Sequence, residues 1–169
     1  KVLLTYGGGS IKRNGIYDEV QDLLKGCEIF ELSGIDPNPR IETVREGAKI
    51  CKENDIDVIL AVGGGSTIDC SKVIAAAAKY DGDAWDLVMD GSLITAALPL
   101  VDILTLSATG TEMNFNAVIT NFDVKMKQGT ASKYLYPYAS ILDPTYTYTV
   151  PANQTAAGTA DIMSHTFEN

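Results

Sequence analysis

Residues 61–69 read AVGGGSTID, a run of three glycines that separates two segments of different character. The apolar segment DVILAV at positions 57–62 predicts a buried strand, and the following TIDCSKVIAAAAKY predicts a helix. Glycines at such a corner allow a ligand to approach the backbone closely, and a helix N-terminus offers unpaired N–H groups and partial positive charge to a phosphate. The corner therefore predicts a phosphate-binding site, with a plain tight turn as the alternative.

Two side chains next to the glycines have the spacing of a helix cap. Ser66 is suited to be the N-cap residue, and Asp69 follows at the distance of a capping box. Capping alone is an alternative that would explain Asp69 completely. The loop fits neither common phosphate motif, because GxGxxG would require glycine at Ile68 and a Walker A loop would require Gly-Lys-Ser/Thr.

The same GGGS sequence occurs at residues 7–10, directly after the apolar residues 2–6. Further strands are predicted at residues 28–32 and 57–62. Helical spacing is found for Ile16, Val20, Leu23 and Leu24, with Gly26 as a stop, and over about residues 40–54 for Ile41, Val44, Ala48 and Cys51. Alternating strands and helices predict an α/β fold with a Rossmann-like parallel sheet covered by helices on both faces. We expect both GGGS corners at one edge of that sheet.

In the second half of the chain, predicted strands and helices alternate less regularly. A strand is predicted near residues 101–105, followed by the loop LSATGTEMN, and a β-hairpin at residues 116–120 and about 124–127. Another strand, about residues 139–142, leads to LDPTYTYTVPANQ. The final TAAGTADIMSHTFEN has helical character and continues to Asn169. Since the chain opens on Lys1 and stops inside this pattern, we expect it to be part of a longer polypeptide.

Composition excludes several classes of partner. Of 169 residues, 46% are hydrophobic, and 22 acidic residues against 13 lysines and arginines give a net charge of −9, which disfavours nucleic acid. No apolar run approaches the roughly 20 residues needed to span a bilayer. Three cysteines without CxxC spacing cannot form a disulfide framework. These features predict a soluble, cytoplasmic protein without membrane partners.

Four motifs together resemble one known family. AVGGGSTIDCSKVIAAAA, TLSATGTEMN, LDPTYTYTVP and AAGTADIMSHTFEN are similar, in this order, to the iron-containing (group III) alcohol dehydrogenases, most closely their NADP-dependent butanol dehydrogenase branch. The resemblance implies that residues 1–150 form a dinucleotide-binding domain. It also implies that residues 151–169 are the first helix of an all-α, metal-binding C-terminal domain, and that the full-length protein is a homodimer.

The resemblance implies a set of cofactor contacts. The matching positions are Gly64, Gly65 and Ser66 at the pyrophosphate, Thr105, Ser107, Thr109 and Asn114 near ribose and nicotinamide, and Lys127 and Tyr146 along the dinucleotide. The small hydroxyls of TLSATGT suit hydrogen bonds to a polar ligand. Without the family match, an ordinary Ser/Thr turn and a packed aromatic residue beside Tyr148 would be the preferred interpretations.

Cofactor choice is predicted from the first GGGS corner. An NAD enzyme usually presents an acidic residue after an early strand to bind the ribose 2′-hydroxyl, and this carboxylate would repel a 2′-phosphate. Here glycines follow the strand, with Lys12 and Arg13 just beyond. The sequence therefore predicts a preference for NADP(H), with Gly8 and Ser10 near the 2′-phosphate. Solvated charges at a helix start are the alternative for Lys12 and Arg13.

Asp161 and His165 lie four residues apart in the last helical stretch, so both face one side. A carboxylate and an imidazole suit Fe²⁺ or Zn²⁺, although such a pair alone is more often a helix-surface contact. The resemblance implies that they are two of four metal ligands, the other two being histidines outside this chain. No side chain is an obvious catalytic general base.

The resemblance implies a metal-dependent alcohol dehydrogenase or aldehyde reductase that acts on small aliphatic alcohols or aldehydes. The present chain alone is expected to be inactive, because half of the metal ligands lie outside it. Two alternatives remain open at this stage. One is an enzyme similar to glycerol dehydrogenase or dehydroquinate synthase, and the other is a non-catalytic nucleotide-binding module.

Overall fold

The computed structural model describes residues 1–168 as an α/β domain with a five-stranded sheet, a two-stranded hairpin and a long final helix. The strands are β1 (Val2–Tyr6), β2 (Ile29–Leu32), β3 (Val58–Gly63), β4 (Leu100–Leu104), β5 (Asn116–Asn121), β6 (Met126–Ala131) and β7 (Ala139–Ile141). The helices are α1 (Ser10–Arg13), α2 (Ile16–Leu23), α3 (Ile41–Asn54), α4 (Gly65–Ala77), α5 (Ala84–Met89) and α6 (Ala152–Glu168).

The main sheet has the strand order β2-β1-β3-β4-β7, and every neighbouring pair is parallel. Tyr6 at the end of β1 is in register with Val62 near the end of β3. Both GGGS sequences begin directly after these positions. The predicted fold class is therefore confirmed, and the two glycine corners lie side by side at the carboxyl edge of the sheet.

Helices cover both faces of the sheet. This arrangement explains why every residue of β1 is buried, although successive side chains point to opposite faces. Leu3 points into a core formed with α3 and α4, where Ile41 and Ile74 are fully buried. Leu4 points to the opposite face, where it packs in a smaller core together with Ile16 of α2. Successive strand residues face opposite sides, so a strand that is apolar throughout is buried on both faces.

The capping-box prediction for α4 is wrong. The helix begins at Gly65 with Gly64 as its N-cap, and no side chain caps it. Ser66 already lies inside the helix, where its hydroxyl accepts a hydrogen bond from the Asn38 N–H at 3.3 Å. Asp69 turns toward the residues that follow β4. Its carboxylate is used in tertiary contacts, because α4 is buried against α3 and the hairpin.

Several element boundaries also differ from the prediction. The first helical region is broken at Gly15, whose φ is +85°, so α1 and α2 are separate helices. Leu23 was predicted on the buried face but is 77% exposed at the end of α2. The hairpin is confirmed, but its second strand begins only at Met126, because a turn with Lys125 at φ +52° occupies the preceding positions.

The final helix α6 touches the rest of the domain at a glycine. A Cβ atom at Gly158 would lie 2.7 Å from the carbonyl oxygen of Ser107, so only glycine permits this approach. Most other residues of α6 are exposed. Across residues 1–168, no helix combines the length and apolar character needed to cross a membrane. Cys27, Cys51 and Cys70 are all free thiols.

Candidate nucleotide-binding cleft and metal ligands

The corner between β3 and α4 is tightly packed against the loop that follows β4. A Cβ atom at Gly65 would lie 3.1 Å from Thr109 Oγ1, and one at Gly64 would lie 3.4 Å from the side chain of Leu106. The Thr105 N–H donates to the Gly63 carbonyl at 3.0 Å. The glycines therefore let two backbone segments meet, and the corner and the loop form adjoining walls of one site.

A cleft of about 250 Å³ opens between these walls and the residues that precede α6. Its lining includes four residues predicted from the sequence: Ser10, Gly64, Thr105 and Tyr146. The first N–H groups of α4 have no intrahelical acceptors and carry partial positive charge. The structure thus brings residues from four separate chain segments to a helix N-terminus that suits a phosphate.

The first glycine corner forms a second, more open pocket of about 320 Å³. Its lining consists of Tyr6, Gly7, Gly8, Gly9, Lys12, Ser33 and Gly34. Gly9 has φ +88°, a conformation that favours glycine. Gly8 has no atom within 4 Å of an added Cβ, so its surface is open. None of these lining residues carries a negative charge, whereas Lys12 carries a positive one.

Lys12 is held beside this pocket by an aromatic pair. Its Nζ lies 4.4 Å from the ring centroid of Tyr17 and 5.1 Å from that of Tyr6. Both tyrosine hydroxyls donate to the carboxylate of Glu31, at 2.5 Å from Tyr17 and 2.6 Å from Tyr6. Burial alone would raise the pKa of Glu31, but these two hydrogen bonds hold that pKa below its ordinary value. Each oxygen of the Glu31 carboxylate thus already accepts a hydrogen bond from a tyrosine hydroxyl.

The remaining predicted cofactor residues have distinct surroundings. Ser107 lines a small cavity of about 160 Å³ between the β4 loop and α6. Lys127 donates to Asn38 Oδ1 at 2.6 Å, which places it close to Ser66 at the second glycine corner. The side-chain oxygen of Asn114 accepts hydrogen bonds from the protein itself, from Lys72 Nζ at 3.2 Å and the Asn116 N–H at 2.9 Å.

Tyr146 lies between the cleft and α2. Its hydroxyl donates to Glu19 Oε2 at 3.1 Å, and its ring packs partly buried against the smaller core. Burial, followed by this hydrogen bond, raises the pKa of Tyr146. The Tyr146 hydroxyl at the rim of the cleft is therefore neutral.

Asp161 and His165 share one face of α6, as their spacing predicts. His165 Nε2 lies 3.7 Å from Asp161 Oδ2, and His165 Nδ1 lies 3.4 Å from Glu168 Oε2. Asp161 Oδ2 is shielded from solvent and accepts no hydrogen bond within residues 1–168. A shielded carboxylate oxygen beside an imidazole has the donor chemistry of a divalent metal site. The described residues contain no group of three or more potential ligands, so this pair could supply only part of a coordination sphere.

Sequence reasoning missed a buried polar cluster behind the cleft. Lys72 is completely buried, and its ammonium contacts the segment that follows β4. Burial lowers the pKa of Lys72 to about 8 and raises that of Asp69, its neighbour one turn earlier. Asp102 in β4 is also fully buried. The only sequence signal was a charged residue inside the otherwise small and apolar run SKVIAAAA.

These features define an α/β domain with a cleft at the carboxyl edge of its parallel sheet and a carboxylate–imidazole pair on the helix that follows. A model of the family described as iron-containing alcohol dehydrogenase matches residues 1–144, so the chain belongs to this family.

Individual relatives agree with the assignment. The chain is 62% identical to NADH-dependent butanol dehydrogenase A of Clostridium acetobutylicum, and the match covers 100% of the chain and 44% of that protein. It is 45% identical to the NADPH-dependent aldehyde reductase YqhD of Escherichia coli, with 99% and 44% covered. The crystal structure of NADH-dependent butanol dehydrogenase A from Thermotoga maritima superimposes with a TM-score of 0.94 at 51% identity, covering 97% of the chain and 42% of that structure. The chain thus spans less than half the length of these relatives.

Proposed function

We propose that this chain supplies the dinucleotide-binding domain of a metal-dependent alcohol dehydrogenase or aldehyde reductase. The full-length protein would transfer hydride between NADP(H) and a small aliphatic alcohol or aldehyde. The observation that carries the proposal is the cleft, because it joins a glycine corner at a helix N-terminus to a loop rich in hydroxyl groups. The butanol dehydrogenase and aldehyde reductase names of similar proteins support the substrate class.

In this proposal each wall of the cleft has its own role. The backbone at Gly64, Gly65 and Ser66 binds the pyrophosphate, since the glycines allow close approach and the helix N-terminus favours negative charge. The loop with Thr105, Ser107, Thr109 and Asn114 positions the ribose and nicotinamide. Lys127, which lies near the second glycine corner through its contact with Asn38, and Tyr146 at the rim of the cleft bind along the dinucleotide.

The preference for NADP(H) over NAD(H) rests on the first glycine corner. Lys12 is the charged residue in its lining, and Gly8 leaves room for a 2′-phosphate. Ser10 lines the neighbouring cleft beside Gly64, so it would reach a 2′-phosphate only from that side. The nearby Glu31 carboxylate is already bound by two tyrosine hydroxyls. Similar proteins include both NADH-dependent and NADPH-dependent enzymes, so the relatives do not decide the cofactor.

Asp161 and His165 would hold Fe²⁺ or Zn²⁺ together with ligands from outside this chain. A bound divalent ion supplies a Lewis acid that polarises the substrate oxygen and lowers the pKa of an alcohol. The chain's own contribution is to orient these two ligands. Gly158 sets the distance between their helix and the loop that carries Ser107. We further propose that residues 1–150 are the dinucleotide domain and that 151–169 belong to a C-terminal metal-binding domain, with α6 as its first helix and Asn169 outside the described residues.

The biological setting is part of the same proposal. We expect a cytoplasmic homodimer at full length, with neither nucleic acid nor membranes as partners. The net charge of −9 supports the exclusion of nucleic acid. Alone, this chain would bind nucleotide but not transfer hydride, because two ligands hold a metal ion weakly.

Titration of the protein with NADPH and NADH, followed by nucleotide fluorescence, tests the proposal. We expect NADPH to bind more tightly. Tighter binding of NADH would refute the cofactor preference while leaving the dinucleotide domain intact. Failure to bind either nucleotide would refute the proposed function.

A further inference from the structure

Lys72 is a fully buried lysine within the second turn of α4. Lysine is almost never fully buried unless its charge is paired. Its Nζ lies within hydrogen-bond distance of five oxygen atoms: Thr111 O at 2.7 Å, Thr111 Oγ1 at 2.8 Å, Asn114 O at 2.8 Å, Asn116 O at 2.9 Å and Asn114 Oδ1 at 3.2 Å. An ammonium has three protons, so this oxygen cage more than satisfies it.

All five oxygens belong to one short segment, residues 111–116, which directly follows the loop TLSATGT. This segment has few apolar anchors, because Met113 is 69% exposed and Phe115 is 40% exposed. Three of the oxygens are backbone carbonyls, so Lys72 restrains the path of the main chain. Polar contacts to α4 therefore replace the packing that normally holds a loop.

Asp69 adds a second attachment from the same helix. Its Oδ1 accepts a hydrogen bond from the Thr111 hydroxyl at 2.6 Å, and its Oδ2 accepts one from the Val118 N–H at 2.9 Å. Thr111 consequently accepts from Lys72 and donates to Asp69. Charged hydrogen bonds of this kind are about twice as strong as neutral ones, and a network of them is rigid when its members are satisfied.

We infer that Lys72 is a positioning residue that holds the β4 loop, residues 105–114, at the distance from the glycine corner that a dinucleotide requires. Helix α4 therefore contributes to both halves of the site. Its N-terminus forms the glycine corner, and Lys72 in its second turn binds the end of the loop. This inference rests on the proposed function, since it assigns the pyrophosphate to the corner and the nicotinamide half to the loop.

The test compares a whole dinucleotide with a ligand that needs only the glycine corners. In the full-length protein, dissociation constants for NADPH and for ADP are measured in the parent and in Lys72→Met. We expect the NADPH constant to rise at least about tenfold, because the lost charged hydrogen bonds no longer hold the loop that meets the nicotinamide half. The ADP constant should change less than about threefold, because ADP needs only the glycine corners.

Two further variants make the result specific. Lys79→Met removes an exposed lysine from the residues just after the same helix and should leave both constants unchanged. Thr111→Val removes the hydroxyl that links Lys72 to Asp69 while leaving the ammonium in place. It should weaken NADPH selectively by a smaller factor, and it provides the answer if Lys72→Met does not fold.

Two outcomes would overturn the inference, and a third would overturn the proposed function on which it rests. Equal losses for NADPH and ADP in both variants would show that Lys72 supports the whole domain and does not position the loop. Unchanged NADPH binding in both variants would show that the loop does not depend on this cage. A parent protein that binds neither NADPH nor NADH would overturn the proposed function first, so the two failures are distinguishable.

Discussion

Replacing Asp102 by asparagine should stabilise the protein, and the gain should depend on pH. Asp102 is fully buried in β4. The Ser140 hydroxyl lies 2.7 Å from its Oδ2 and 2.9 Å from the Glu112 carbonyl, yet it has only one proton to donate. Within residues 1–168, Asp102 Oδ1 has no hydrogen-bond partner. An ionised carboxylate is therefore poorly satisfied here.

The size and sign of the effect follow from the titration of this group. Burial raises the pKa of Asp102 from 3.8 to about 6, a difference worth about 3 kcal/mol. Because the folded protein binds this proton more tightly than the unfolded chain, the parent loses stability as the pH rises from about 4 to about 6. Asparagine stays neutral, and its amide can donate to Ser140, whose own proton then goes to Glu112.

Urea unfolding of the parent and Asp102→Asn at pH 4, 6 and 8 measures the effect. We expect the free energy of unfolding of the variant, relative to that of the parent, to rise by up to about 3 kcal/mol between pH 4 and pH 8. Asp90→Asn is the matched control. Hydrogen bonds from the Ser92 hydroxyl and N–H lower the pKa of Asp90, so Asp90 is ionised in the folded and unfolded states over most of this range. Its replacement should therefore change relative stability little between pH 4 and pH 8, and in the opposite direction. A pH-independent difference at Asp102, or a variant less stable than the parent at pH 8, would refute the reasoning.

Three further predictions concern the cleft and the metal ligands. In the full-length protein, His165→Ala should abolish turnover and lower the metal content while leaving NADPH affinity unchanged. Full turnover by this variant would show that His165 is only a helix-surface residue. Lys12→Met should weaken NADPH binding about tenfold, as expected for one lost charged contact. NADH binding should stay the same. Equal losses of affinity for the two nucleotides would contradict a contact between Lys12 and the 2′-phosphate. Gly158→Ala should cost about 1–3 kcal/mol in thermal or urea unfolding because its Cβ would meet the Ser107 carbonyl at 2.7 Å, whereas Ala157→Ser on an exposed part of the helix should have little effect.

Much of the fold was predictable because it depends on local periodicity. The run VLLTY at residues 2–6 and the helical spacing of Ile41, Val44 and Ala48 report which side chains are buried, whatever the rest of the chain does. Parallel strands place their carboxyl ends at one edge, so two GGGS sequences after strands were expected at the same edge. They lie side by side because β1 and β3 are neighbours in the strand order. The cleft was thus predictable in position, although not in detail.

The roles of individual polar side chains were decided by tertiary structure. Asp69 has the sequence spacing of a helix cap, but its partners Thr111 and Val118 lie more than forty residues away and bind it because α4 is buried beneath the hairpin. Lys72 gave only a weak signal, because a charge in an apolar run does not reveal which oxygens surround it. The sequence alone therefore determined the sheet and its two glycine corners through hydrophobic periodicity. Only the packing of distant segments decided which atoms each buried charge would meet, because hydrogen bonds depend on positions in space that periodicity does not encode.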